Sequence, residues 1–121
     1  MSIFDRFENA VERGVNGAFS RVFRSGIKAV DITSALKRSM EDHVQELSTD
    51  RAIAPNHFLI RMAPTDMDAL GDLDILAGEF AQQVTDHAVS QGYALLGPIS
   101  IDFTRDSEEF TGQLQVEARN E

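Results

Sequence analysis

The densest group of side chains able to do chemistry is a run of four aspartates, Asp66, Asp68, Asp72 and Asp74. Carboxylates at alternate positions ahead of a glycine can open a calcium loop, which a bidentate glutamate at the twelfth position must complete. Laid on that pattern, Asp66 and Asp68 take the first and third positions and Gly71 the sixth, but Leu70 falls at the fifth and Ala77 at the twelfth. The loop fails at its strongest ligand. Carboxylates at helix starts have a simpler use, as caps and as partners of the helix dipole. The three histidines, His43, His57 and His87, show no i, i+3 or i, i+4 pair of the kind a zinc site would use. His57 reads as a half-exposed turn residue at the lip of a strand. There is no cysteine, which removes disulfides and thiolate-held metals. Ser25 precedes Gly26 without the strand–elbow–helix setting of a serine nucleophile. The eight glycines are dispersed, with no phosphate-cradling loop. No catalytic, cofactor-binding or metal-ligating residue is expected, and the chain reads as a non-enzyme.

What remains is surface chemistry. The chain carries a formal net charge of −9. Residues 1–51 hold eight basic and eight acidic side chains, whereas residues 52–121 hold three basic against twelve acidic, so the C-terminal part carries the whole imbalance. Such a surface repels nucleic acid over most of its extent. One basic stretch stands out, with Arg21, Arg24 and Lys28 as a candidate docking face for an acidic or phosphorylated partner. The competing reading places these cations at the C-terminal end of a first helix, where they stabilise its dipole. Thr111 is a candidate phosphoacceptor, because it follows Asp106, Glu108 and Glu109 in a polar connection. Alternatively Thr111-Gly112 simply opens the last strand.

These residues must be positioned by a single domain, since 121 residues with 42% hydrophobic content can bury one core. Residues 2–24 show Phe4, Phe7, Val11, Val15, Ala18 and Val22 at three- and four-residue steps, which predicts an amphipathic helix ended by Ser25-Gly26. Acids share the polar side of this stripe, which speaks against stable membrane insertion. A second helix is predicted over about 32–48, capped by Asp31, followed by a loop over 48–56. Phe58, Ile60 and Met62 alternate with Leu59, Arg61 and Ala63, as in a strand. Thr65 is the expected cap of a short helical turn. Asp72 is the expected cap of a helix over about 73–91, closed by Gly92. Two alternating runs, 99–104 and 112–119, are expected to pair as an antiparallel hairpin. The fold class is therefore α+β in two layers: helices on a small three-stranded mixed sheet, in the order α-α-β-(short α)-α-β-β, with the strand order left open.

Several of these segments, in their order and spacing, resemble a known family. They are Gly17-Ala18-Phe19-Ser20-Arg21-Val22-Phe23, Asp31-Ile32 with Ala35-Leu36-Lys37-Arg38, and Ala54-Pro55-Asn56-His57-Phe58. His87-Ala88-Val89-Ser90-Gln91-Gly92-Tyr93, Gly97-Pro98-Ile99 and Thr111-Gly112-Gln113-Leu114 follow. The chain resembles the N-terminal domain, itself of unknown function, of actinobacterial forkhead-associated (FHA) domain proteins of the FhaA type. The resemblance implies that residues 1–121 are one N-terminal domain of a longer protein, followed by a linker and a phosphothreonine-recognising FHA domain. It implies a non-catalytic interaction or regulatory module with protein partners that include a Ser/Thr kinase, in cell-envelope growth; the cytoplasm is expected from the lack of cysteines and of any apolar run long enough to span a membrane. It makes Thr111 a stronger phosphoacceptor candidate. No cofactor is implied. The alternative reading is a small nucleic-acid-binding α/β module.

Overall fold

The computed structural model describes residues 18–23 and 26–120. Eleven elements follow in order: β1 (Ala18–Val22), α1 (Ala29–Asp42), β2 (Gln45–Ser48), β3 (Arg51–Ala54), β4 (His57–Met62), α2 (Pro64–Asp68), α3 (Leu73–Gln91), β5 (Ala94–Leu95), β6 (Ser100–Arg105), a 3-10 turn (Glu108–Phe110) and β7 (Gln113–Arg119). The larger sheet has the order β1-β7-β4-β6 and the smaller the order β2-β3-β5. The α+β class and the helix-on-sheet layering match the expectation, while the single three-stranded sheet becomes two sheets.

The larger sheet is built around β4. It pairs in parallel with β6, Phe58 facing Ile101 and Ile60 facing Phe103, and antiparallel with β7, Phe58 facing Ala118 and Ile60 facing Val116. The expected hairpin between the last two strands does not form, because β4 lies between them. Its alternating run is the most apolar of the three, and the central position buries both of its edges. Phe58, Ile60, Met62, Leu114 and Val116 are fully buried against Ile32, Leu36 and Met40 of α1 and Phe80, Val84 and Ala88 of α3. The helix positions recur at four-residue steps, so each helix turns one apolar face to the sheet. The rings of Phe80 and Phe103 join α3 to β6 at 6.4 Å between centroids.

Three expectations change. Residues 18–22, assigned to a helix, form a strand on the outer edge of β7, with Ala18 opposite Glu117 and Val22 opposite Gln113. The four-residue spacing of Phe19 and Phe23 suits one face of a strand as well as a helical stripe, and pairing with β7 decides between them; residues 2–17 lie outside the described residues. The second helix stops at Asp42, and residues assigned to its last turn and the following loop form the antiparallel pair β2–β3. Ser48 marks the reversal, its hydroxyl donating to Asp50 at 3.0 Å. Helix starts also shift. Lys28 is the N-cap of α1, and Asp31 sits in the first turn, accepting the Lys28 N–H at 2.9 Å. In α3 the expectation holds: Asp72 accepts the N–H groups of Asp74 and Ile75 at 3.0 and 3.2 Å, and Gly92 closes the helix at φ 77°.

Candidate functional site

The connection from β6 to β7 carries Thr111 and is held at almost every residue. Past Arg105, the Asp106 N–H donates to the Met62 carbonyl at 2.7 Å, which extends the parallel pairing by one step. The chain then makes one 3-10 turn, Glu108–Phe110, and the Thr111 N–H donates to the Glu108 carbonyl at 3.0 Å. The Thr111 hydroxyl donates to the same carbonyl at 2.5 Å and stands 3.4 Å from the Glu108 carboxylate oxygen Oε2. Thr111 is exposed while Gly112 beside it is buried. Gly112 has φ 81°, a left-handed conformation that L side chains rarely adopt.

Short helix α2 anchors this connection from the other side. Glu108 accepts the Thr65 N–H at 3.0 Å and the Thr65 hydroxyl at 2.8 Å. Asp66 accepts the Gly112 N–H at 2.6 Å. Asp68 pairs with Arg105 at 2.8 Å. Sequence reasoning placed Thr65 as the cap of α2, but the N-cap is Ala63 with Pro64 in the first turn, and the Thr65 hydroxyl serves Glu108 instead. The sequence offers Glu108 only as an acidic neighbour of Thr111: its partner lies 43 residues away, and no local pattern announces a contact that only the β4–β6 pairing creates.

Three of the four aspartates are thereby accounted for. Asp66 binds a backbone N–H, Asp68 an arginine, and Asp72 caps α3, so these carboxylates point to separate partners. Among the described residues no three His, Asp or Glu side chains come together as a metal site. The histidines also separate. His57, expected to be half exposed, is buried at the start of β4 with Nε2 2.8 Å from Asp102. His87 meets Glu41 at 2.9 Å, and the His43 ring bonds the Ser39 carbonyl at 2.8 Å.

The candidate basic residues split. Arg21 is exposed on β1, its guanidinium 5.1 Å from the centre of the Phe23 ring, and Lys28 is exposed at the N-cap of α1; Arg24 lies outside the described residues. The dipole reading of this patch fails. Arg21 is on a strand, and a cation at a helix N-terminus opposes the dipole. One bond connects the patch to Thr111: the Phe23 N–H donates to the Gly112 carbonyl at 2.6 Å. The strand bearing Arg21 and the turn bearing Thr111 are therefore neighbours, although ninety positions separate the two residues in sequence.

The described residues thus form an α+β domain in which a polar, strapped turn adjoins the edge strand that carries Arg21. The chain matches the family described as "FhaA, N-terminal domain" over residues 4–117, and it belongs to that family. It is 30% identical over 115 residues to the FHA domain-containing protein FhaA of Mycobacterium tuberculosis (strain ATCC 25618 / H37Rv), covering 94% of this chain and 22% of the relative. The chain thus spans about a fifth of the length of that curated relative. Among solved structures it is similar to Rv0020c_Nter, with a TM-score of 0.71 and 27% identity over 76% of this chain and 70% of that one.

Proposed function

We propose that this domain is a non-catalytic docking and regulatory module of a phosphothreonine-signalling scaffold, with Thr111 as its phosphoacceptor and the Arg21, Arg24 and Lys28 stretch as a partner-binding surface. The observation that carries this reading is the exposure of Thr111 on a turn whose neighbour, Gly112, is bonded to the strand bearing Arg21. A kinase needs an accessible hydroxyl, and a phosphate added there changes the charge of a surface already framed by Glu108 and Glu109. Membership in the FhaA N-terminal family supports a signalling setting, with a Ser/Thr kinase among the partners and action in the cytoplasm. Among the described residues no helix is long and apolar enough to cross a membrane.

The nucleic-acid alternative receives less support. On the sheet face turned away from α1 and α3, β4, β6 and β7 present no Phe, Tyr or Trp side chain, and His57 there is buried. Their polar groups are paired: His57 with Asp102, and Arg61 with Asp106 and Glu117. A single-strand platform needs stacking rings and a basic groove.

The test is phosphorylation of the purified protein by Ser/Thr kinases of its own cell, read by mass spectrometry. Phosphate at Thr111, abolished in Thr111→Ala, is the expected result. Undiminished incorporation into the variant would remove Thr111 as the main acceptor.

A further inference from the structure

We infer that Glu108 is a latch holding the β6–β7 connection onto α2, and that an anionic group on Thr111 opens it. The inference rests on the reading of Thr111 as a phosphoacceptor and adds what the modification does to the fold.

The Glu108 carboxylate serves two threonines at once. Both of its oxygens receive Thr65, one from the N–H at 3.0 Å and one from the hydroxyl at 2.8 Å, and Oε2 stands 3.4 Å from the Thr111 hydroxyl oxygen. The Thr111 hydroxyl itself donates to the Glu108 carbonyl at 2.5 Å, so the side chain that would be modified shapes the turn that aims the carboxylate. A phosphoryl group replaces this donor hydrogen with three acceptor oxygens and nearly two negative charges. The bond to the Glu108 carbonyl is lost, and a dianion then faces a carboxylate across a gap smaller than a water layer. Two donors on this connection are already engaged, the Gly112 N–H with Asp66 and Arg105 with Asp68, so neither meets the phosphate without giving up an existing bond. Glu108 is an exposed side chain on a single 3-10 turn, with solvent beside it to turn into. It swings away, and α2 loses the carboxylate that satisfied its Thr65 N–H. Asp66 still binds Gly112, so the opening is local rather than a collapse of the domain.

The test installs phosphothreonine at position 111 by genetic encoding and follows backbone amide exchange by NMR in the full chain. The Thr65 amide is expected to exchange about tenfold faster or more than in the unmodified protein, as befits loss of a charge-assisted hydrogen bond. The Gly112 amide should keep its protection. Unmodified Glu108→Gln should show part of the same acceleration. If that variant folds poorly, Thr65→Val supplies a second arm, in which a carboxylate held by one donor fewer makes the phosphate-induced acceleration smaller in ratio. An unchanged Thr65 amide on phosphorylation overturns the latch, as does equal loss of protection throughout the domain. Because the phosphate is placed without a kinase, these outcomes are independent of whether cells modify Thr111, which the mass-spectrometric assay decides separately.

Discussion

Phe23 and Gly112 are joined by a backbone hydrogen bond of 2.6 Å, donated by the Phe23 N–H, one step beyond the paired residues Val22 and Gln113. A Cβ placed on Gly112 would lie 2.9 Å from the Phe23 carbonyl oxygen, a backbone atom with little freedom to retreat. The close approach and the left-handed backbone therefore demand glycine together at the point where the strand bearing Arg21 meets the Thr111 turn.

Gly112→Ala is expected to destabilise the domain by about 2 kcal/mol or more, combining the left-handed penalty with the contact. Gly71→Ala provides the control, with φ 95° but nothing within 4 Å of the added Cβ, and should cost only about 1 kcal/mol. Denaturant unfolding of the two variants checks the difference. Equal losses would show that the approach of Phe23 adds nothing.

How far the sequence discloses this arrangement depends on the range of the interactions. Helix α3 is legible from end to end, because Asp72, the apolar stripe from Leu73 to Ala88 and Gly92 all act within a few residues of one another. Strand β4 is legible from the alternation of Phe58, Ile60 and Met62. The strand at 18–22 is not, since the four-residue spacing of Phe19 and Phe23 fits either period and only the edge of β7, about a hundred residues away, selects the strand. The same holds for the place of β4 between β6 and β7, where three alternating runs of similar length permit several orders. For the candidate site, Thr111 and Arg21 can be chosen from their types and neighbours. Their proximity, and the parts played by Glu108 and Thr65, arise from strand pairing and leave no local mark.

Ser39 lies in α1 fully buried, and its hydroxyl has no hydrogen-bond partner among the described residues. Serine is also a poorer helix former than alanine. Ser39→Ala should therefore raise stability by about 1 kcal/mol, seen as a higher midpoint of urea unfolding with an unchanged slope. The His43 ring would keep its acceptor, which is the Ser39 carbonyl and not the hydroxyl. A lower midpoint would mean that the hydroxyl has a partner after all.

Arg61 sits between Asp106 and Glu117 at 3.7 and 3.8 Å, with about a third of its side chain exposed. Both gaps exceed hydrogen-bond length, and half-exposed pairs of this kind contribute about 0–1 kcal/mol. Arg61→Gln should thus alter stability by less than about 1 kcal/mol, and the difference should shrink in high salt. A loss several times larger, insensitive to salt, would reassign Arg61 from a surface pair to a structural support of β4.

Tyr93 supplies a prediction with a defined pH window. Its hydroxyl donates to Glu41, a carboxylate that also meets His87, so the ends of α1 and α3 and the entry to β5 share one acceptor. The hydrogen bond to Glu41, then partial burial, then the negative charges of Glu41 and Glu46 push the phenol up to about 12 from its ordinary value of 10.0. Each cause disfavours the phenolate, which would lose its donor proton and face two carboxylates. The folded state thus holds the proton more tightly than the unfolded chain. The stability tied to this group is fully present below about pH 10 and is lost as pH rises from there through about 12. Ultraviolet titration of this single tyrosine should place phenolate formation in the folded protein well above pH 10. Glu41→Gln should bring the midpoint down, because the amide removes the charge and weakens the acceptor. The same substitution should flatten the decline of stability between about pH 10 and 12. A midpoint that ignores Glu41→Gln would show that the bond is not made in solution, and with it would go the assignment of Glu41 as the joint between the two helices.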